Sequence, residues 1–224
     1  MKRDGTTTLG FLIFPGFPMA CLTSAIEPLR AANEIAGQDA FRWKVVSEDG
    51  KPITASAGVV FQPDCPLADA EALDILLLSS SPQGAFTDPR SGNGRLRHLA
   101  RHGVILGAVS GGAFPLARAG LLEGHRASVH WCYKSAFTSE FPDLETADEV
   151  MVLDRRRHTI SGATALFDFA LKLIELRLRD AVMTEVACWF QHPVVRSEGV
   201  RQKTPAFKTG GTAGDLPPAV ARAV

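Results

Sequence analysis

The stretch from Val104 to Phe114 reads VILGAVSGGAF, and it decides the fold. Its apolar start predicts a buried strand, and the segment Ala113–Ala119 predicts a helix that ends at Gly120. Between strand and helix, small residues surround one side chain with a nucleophilic atom, Ser110. A strand, a sharp turn and a helix in this order are typical of a nucleophile elbow, in which the helix amides point at the turn residue.

Strand-like and helix-like segments alternate along the rest of the chain. The predicted strands are Leu9–Phe14, Phe41–Ser47, Leu73–Leu78 and a hairpin of Glu149–Leu153 with His158–Ser161. The further predicted helices run from Thr23 or Ser24 to Gly37, over Arg95–His102, over Ala163–Leu178 and over Ala181–Phe190. This alternation predicts an α/β fold with a doubly wound, mostly parallel sheet that has helices on both faces. Ligands of such sheets bind at the carboxyl ends of the strands.

The start of the first predicted helix carries a local signal. Ser24 is followed three residues later by Glu27, as in a capping box, and Gly37 is a favourable residue just after the helix. We therefore expect Glu27 to cap the helix or to make a bond within it.

Composition narrows the classes of function. The 24 Lys and Arg residues balance the 24 Asp and Glu residues, so no excess of positive charge predicts direct nucleic-acid binding by this chain. The chain has no signal-peptide core and no stretch that could span a membrane, which predicts a cytoplasmic protein without membrane contact. The cysteines are scattered and the histidines lack ligand spacing, which predicts reduced thiols and neither a metal nor another cofactor.

Several motifs in order resemble one known superfamily. They are Gly107–Leu122 with Ser128–Trp131, Ala25–Asn33, Phe41–Gly50, Ala119–Gly124 and Ser161–Ala165. Over residues 9–202 the chain resembles the DJ-1/PfpI (class I glutamine amidotransferase-like) superfamily. More narrowly, it resembles the N-terminal sensor domain of GlxA-type AraC-family transcriptional regulators. The resemblance implies a flavodoxin-like fold of the DJ-1/PfpI type.

The resemblance also bears on catalysis. The elbow residue of the enzymes in this superfamily is a cysteine, whereas this chain has Ser110, and His130 matches the downstream histidine of the family. The acidic residue that several members carry after the first strand is absent from Gly16–Cys21. Serine needs a well-oriented base, so the thiolate chemistry of the family cannot operate here. The resemblance therefore implies a small-molecule-sensing domain that is not catalytic.

The same motifs imply a ligand site. Ser110, Gly111, Gly112, His130 and Trp131 are expected to line the pocket. Backbone amides of the two glycines at a helix N-terminus favour a carboxylate or another anionic group. The Trp131 indole can receive a cationic head group. Relatives suggest an amino-acid-like ligand or a quaternary amine, and they suggest a homodimer.

Alternatives remain open at this stage. Ser110 and His130 can serve a hydrolase, hydratase or amidase, and an α/β-hydrolase could use His158 as base with Asp148 or Asp154 as acid. The segment Ser79–Gly84, where the family commonly has two glycines, is either a solvated turn or part of an oxyanion site. Arg155–Arg157 is expected to be a solvated turn rather than a nucleic-acid contact.

The chain is expected to divide at residue 202. Residues 1–202 form the sensor-like domain, and residues 203–224 are expected to be a tail of low order, because they are rich in Gly, Pro, Thr and Ala. The two helix-turn-helix units that follow the sensor half in the AraC-type regulators have no counterpart in this tail.

Overall fold

Strands and helices alternate in the computed structural model, which describes residues 5–205. The strands are β1 (Thr7–Ile13), β2 (Phe41–Ser47), β3 (Ile53–Thr54), β4 (Val60–Phe61), β5 (Cys65–Pro66), β6 (Ile75–Ser80), β7 (Ile105–Ser110), β8 (Ala127–Ser128), β9 (Thr146–Ala147), β10 (Met151–Asp154) and β11 (Arg157–Ile160). The helices are α1 (Met19–Ala36), α2 (Pro89–Arg101), α3 (Ala113–Arg118), α4 (Lys134–Glu140), α5 (Ala163–Leu178) and α6 (Asp180–Trp189). Most of the predicted tail, residues 206–224, lies outside the described residues.

One sheet of seven strands organises the fold, in the order β10-β11-β7-β6-β1-β2-β5. Neighbouring strands are parallel, except that β10 runs antiparallel to β11. Counted in chain order, the five longer parallel strands β1, β2, β6, β7 and β11 lie in the order 2-1-3-4-5. This is the flavodoxin-like arrangement. The order in which strands are added to the sheet reverses between β1 and β6, and such folds bind ligands at this point. The predicted fold class is confirmed.

The core has two halves, one on each face of the sheet. The half under α1, α5 and α6 contains Phe17, Phe41 and Phe169, and the half under α2, α3 and α4 contains Phe114 and Phe137. Strand β6 contributes side chains to both halves of the core. Ile75 and Leu77 belong to the half under α1, α5 and α6, and Leu76 and Leu78 belong to the half under α2, α3 and α4. This double burial explains the unbroken apolar run from which the strand was predicted.

Several predicted elements have the expected bounds. Helix α5 covers Ala163–Leu178 and strand β2 covers Phe41–Ser47, as predicted. The predicted hairpin is formed by β10 and β11. These segments carry strong apolar periodicity, which is the most reliable signal of secondary structure in a sequence.

Two helix starts were predicted wrongly. Helix α1 begins at Met19, after Pro18, and no side chain caps it, so the predicted capping box of Ser24 and Glu27 is absent. Glu27 pairs with Arg30 within the helix, at 3.2 Å, which is the second of the two roles expected for it. The predicted end is correct, since Gly37 adopts a left-handed conformation with φ of 61°.

Helix α2 also begins earlier than predicted, at Pro89 instead of Arg95. The side chain of Asp88 accepts hydrogen bonds from the backbone N–H groups of Arg90 and Ser91, both at 3.1 Å. A capping aspartate followed by proline is a favourable helix start, and it outweighs the glycines of the first turns, Gly92 and Gly94. Among the helices of residues 5–205, none is long and apolar enough to cross a membrane.

Candidate functional site

Ser110 lies at the carboxyl end of β7, where the chain turns sharply into α3. Its backbone has φ of 56°, in the left-handed region that side chains other than glycine seldom adopt, and its side chain is buried. Such strain costs about 1–3 kcal/mol, so the surrounding packing must hold it in place. The predicted elbow geometry is therefore present.

The two glycines after Ser110 are required for packing. A Cβ atom at Gly111 would lie 2.5 Å from the carbonyl oxygen of Ser80, and one at Gly112 would lie 2.0 Å from that of Leu78. Both glycines thus let the elbow press against the end of β6. The Gly112 N–H donates to the Val109 carbonyl at 2.9 Å, so its amide is committed within the turn rather than offered to a ligand.

The segment Ser79–Gly84 is not a solvated turn throughout. Ser79 and Ser80 belong to the end of β6 and are buried. The Arg118 guanidinium donates to the carbonyls of Pro82 and Gly84, at 3.1 Å and 2.9 Å, and so fixes the turn that follows. The Ser79 hydroxyl is buried without a hydrogen-bond partner among residues 5–205, which is costly unless something else bonds to it.

The segment that carries His130 and Trp131 is positioned by two distant elements. The N–H of Ser128 donates to the Thr159 hydroxyl of β11 at 2.7 Å. The side chain of Gln202 donates to the Val129 carbonyl at 2.8 Å and accepts from the Trp131 N–H at 2.9 Å. These bonds place His130 beside Gly162, where a Cβ atom would lie 3.5 Å from the imidazole Cδ2. His130 therefore lies at the carboxyl end of β11, next to the end of β7.

The hydrogen bonds of His130 favour one tautomer of its ring. The backbone N–H of Cys132 donates to Nδ1 at 3.3 Å, and the Cys132 sulfur lies 2.8 Å from the same nitrogen. A nitrogen that accepts an N–H bond carries no proton. Burial lowers the pKa of His130, so the ring is neutral near pH 7. An acceptor role of Nδ1 favours the tautomer with the ring proton on Nε2, in which Nε2 is a hydrogen-bond donor.

Ser110 is not coupled to His130. No hydrogen bond joins the two side chains within the part of the chain that the structure describes. Burial raises the pKa of the Tyr133 phenol, and the neighbouring Ser110 hydroxyl acts on that pKa in the opposite direction. A serine without an adjacent base remains a weak nucleophile.

Two thiols lie near the site and both are protonated at neutral pH. Burial raises the pKa of Cys132 to about 11 and that of Cys21, on α1, to about 12. The Cys132 thiol can therefore donate to the imidazole of His130, but it is not a thiolate nucleophile. Cys21 lies just after Gly16–Ala20, the segment in which the sequence has no carboxylate.

The α/β-hydrolase alternative is wrong. His158 pairs in register with Gly107, three residues before Ser110, which is about 10 Å along the strand. Its ring packs edge-on against Phe169, with centroids 5.6 Å apart. The proposed acids are also engaged elsewhere, because Asp154 pairs with Arg155 and Asp148 pairs with Lys134.

Sequence reasoning missed three residues of the site. Cys132 and Tyr133 contact the predicted pair because the chain turns back after His130, and Gln202 arrives from the far end of the domain. Only the closeness of Cys132 and Tyr133 to His130 in the sequence could have indicated them. Within residues 5–205, no group of three or more His, Cys, Asp and Glu side chains is arranged to hold a metal ion.

Residues 11–176 match the DJ-1/PfpI family. Among curated proteins, the chain is 35% identical to the HTH-type transcriptional regulator GbdR of Pseudomonas aeruginosa over 205 residues, which cover 92% of this chain and 56% of that protein. The chain thus spans little more than half the length of this relative. It is also 30% identical to an isonitrile hydratase of Pseudomonas putida over 171 residues, covering 75% of this chain and 70% of the hydratase.

Solved structures share the fold. An AraC family transcriptional regulator from Pseudomonas putida superposes with a TM-score of 0.73 and 24% identity, over 82% of this chain and 99% of the other. At this identity the match concerns the arrangement of the sheet and helices.

Proposed function

The chain belongs to the DJ-1/PfpI family, and from this premise we propose that residues 1–202 form the non-catalytic, small-molecule-sensing domain of a GlxA-like AraC-family transcriptional regulator. The similarity to GbdR supports the regulatory part of this proposal. The ligand binds at the carboxyl ends of the strands, between Ser110, Gly111, His130 and Trp131, while Gly112 closes the turn behind them.

One observation carries the proposal that the site binds rather than reacts. Nδ1 of His130 accepts the Cys132 N–H, which favours the tautomer with the proton on Nε2, and in that tautomer Nε2 cannot take a proton from Ser110. A general base needs a free nitrogen within reach of the proton that it removes. In this arrangement His130 contributes a donor to a bound molecule, and Ser110 contributes a hydroxyl.

The donors define the class of ligand. A carboxylate accepts hydrogen bonds from an imidazole Nε2–H and a serine hydroxyl, and charge strengthens such bonds. Next to these donors, the rings of Trp131 and Tyr133 lie 5.6 Å and 5.5 Å from the His130 ring, measured between centroids. Aromatic faces attract a cationic group by about 0.5–2 kcal/mol. A carboxylate with a nearby cation, as in an amino acid or a quaternary amine, satisfies both features.

Binding to the full chain tests the proposal. We would screen free amino acids, their N-trimethyl derivatives and the matching methyl esters by thermal unfolding, and then measure affinities by calorimetry. The proposal expects a saturable rise in Tm with carboxylates and none with their esters. Trp131→Ala should weaken binding, whereas the control Trp189→Ala, on an exposed position of α6, should not.

Two results would contradict the proposal. One is that no compound with a carboxylate stabilises the protein. The other is that the esters bind as well as the acids, since a neutral ester carbonyl would then satisfy the site equally.

A catalytic function is the second candidate. Ser110, with φ of 56°, lies in the kind of strained turn that presents a nucleophile. One relative is also an isonitrile hydratase. We would assay isonitrile hydration and hydrolysis of activated esters in the wild type and in Ser110→Ala. Turnover that disappears in Ser110→Ala, with the Tm unchanged, would favour this candidate over the sensor.

We also propose a location and an oligomeric state for the protein. A regulator of transcription works where the chromosome is, so we place the protein in the cytoplasm. We also propose a homodimer, in which the sensing domain binds its ligand and no nucleic acid. Light scattering after size exclusion tests the dimer, and a mobility-shift assay tests the absence of nucleic-acid binding.

A further inference from the structure

An open cavity of about 300 Å³ lies at the end of the sheet opposite to Ser110. It is lined by Arg97, Ala100, Arg101, Leu121 and Arg157. Arg157 is the first residue of β11, so the cavity lies at the amino end of that strand, whereas Ser110 is the last residue of β7. The cavity is therefore separate from the candidate ligand site.

Positive charge without compensation surrounds this cavity. Three of its five lining residues are arginines and none is acidic. Arg156 is close by, since a Cβ atom at Gly103 would lie 3.4 Å from its guanidinium. Within residues 5–205, none of these four arginines has a carboxylate within ion-pair distance.

The hydrogen bonds of these arginines use their donors without neutralising their charge. Arg97 donates to the Ala119 carbonyl at 3.2 Å, and Arg157 donates to the Leu121 carbonyl at 2.6 Å. Both acceptors are neutral. Arg157 is partly buried, and its pKa is lowered first by burial and then by the charges of Arg155 and Arg156. The positive charges of these arginines therefore repel one another.

The end of α2 explains only part of the cluster. Cations are favourable at a helix C-terminus, which accounts for Arg101. Arg156 and Arg157 belong to the hairpin of β10 and β11, so the dipole of helix α2 does not account for their positions. The chain has as many acidic as basic residues, yet the nearest carboxylate of the hairpin, Asp154, pairs with Arg155 instead.

We propose that this cavity binds a small oxyanion, namely inorganic phosphate or the phosphate group of a small metabolite. A guanidinium group can bind two phosphate oxygens at once. Arg97 and Arg101 of α2 and Arg157 of β11 line the cavity. The volume is at the lower end of the range for small-molecule sites. Ala100 and Leu121 provide apolar surface for the organic part of a metabolite.

Phosphate binding to the full chain tests this site. We would measure Tm and calorimetric binding of inorganic phosphate against sodium chloride at equal ionic strength. The wild type should show saturable stabilisation by phosphate. Arg101→Gln should weaken phosphate binding about tenfold, because it removes one charged hydrogen-bonding group. Arg101 is exposed and its side chain makes no hydrogen bond or ion pair with the described residues, so its replacement should not affect folding.

A matched control lies on the same helix. Arg90→Gln removes the same charge from the first turn of α2, at the opposite end, and should bind phosphate as the wild type does. Three results would overturn the proposal: chloride stabilises as much as phosphate, Arg90→Gln weakens binding as much as Arg101→Gln, or duplex DNA binds through Arg101 while phosphate does not. The last result would identify the cluster as a nucleic-acid contact.

Discussion

The backbone N–H of Trp131 donates to the side-chain oxygen of Gln202, 2.9 Å away and 71 positions later in the chain. The nitrogen of the same side chain donates to the carbonyls of Val129 and Glu149, at 2.8 Å and 3.1 Å. One amide thus holds the segment on both sides of His130. The end of the domain and the candidate ligand site are therefore one structural unit.

Replacing this amide should loosen both parts. We predict that Gln202→Ala lowers the free energy of unfolding by about 2 kcal/mol, since three partly buried hydrogen bonds are lost. Trypsin should also cleave faster after Arg201. Urea unfolding and limited proteolysis measure the two effects. Gln38→Ala, an exposed residue without such bonds, is the control. Equal stability of the two variants would contradict the role of Gln202.

The sequence predicted what depends on local patterns. Periodicity gave the bounds of Ala163–Leu178, and the small residues around Ser110 gave the elbow, because a sharp turn at a sheet edge tolerates no larger neighbours. It did not predict Gln202, since nothing near this residue signals a contact with Trp131. The capping-box pattern of Ser24 and Glu27 was misleading, because apolar packing extends α1 back to Met19.

Local patterns also could not define the role of His130. The resemblance to the family indicated a histidine near Ser110, but it did not indicate which of the two ring nitrogens accepts a hydrogen bond from the protein. That depends on the turn through Cys132 and Tyr133, whose backbone direction places the Cys132 N–H against Nδ1. The position of Tyr133 near Ser110 likewise follows from this turn.

Thiol reactivity should follow burial. We predict that iodoacetamide at neutral pH labels Cys188 first, because it is exposed, and Cys132 and Cys21 much more slowly. Their pKa values, raised to about 11 and about 12 by burial, leave almost no thiolate. Mass spectrometry of tryptic peptides over time gives the order. Labelling of Cys132 as fast as Cys188 would indicate a thiolate held by a protonated His130.

Stability should decrease in acid. Burial lowers the pKa of His158 below its ordinary value of 6.5, although the Arg155 backbone and the Glu198 charge act in the opposite direction. The unfolded chain then takes up a proton that the folded chain excludes, so the free energy of unfolding falls as the pH drops from ~7 to ~5. His130 acts in the same direction.

Removing one buried imidazole should reduce this dependence. We predict that His158→Phe, which keeps an aromatic ring against Phe169, shows a smaller loss of Tm between pH ~7 and ~5 than the wild type. The exposed His102→Gln is the matched control and should behave as the wild type does. A steeper loss in His158→Phe would show that the imidazole is charged in the folded protein.

The protonation state of His130 tests the central claim most directly. We would label the histidines with ¹⁵N and record the ring nitrogen and proton correlations of the full chain at pH ~7, assigning His130 with His130→Gln. A binding role predicts a neutral ring with the proton on Nε2. A proton on Nδ1, or a charged ring, would contradict it. With the proton on Nδ1, Nε2 would be free to act as a base for Ser110, and the catalytic candidate would then be preferred.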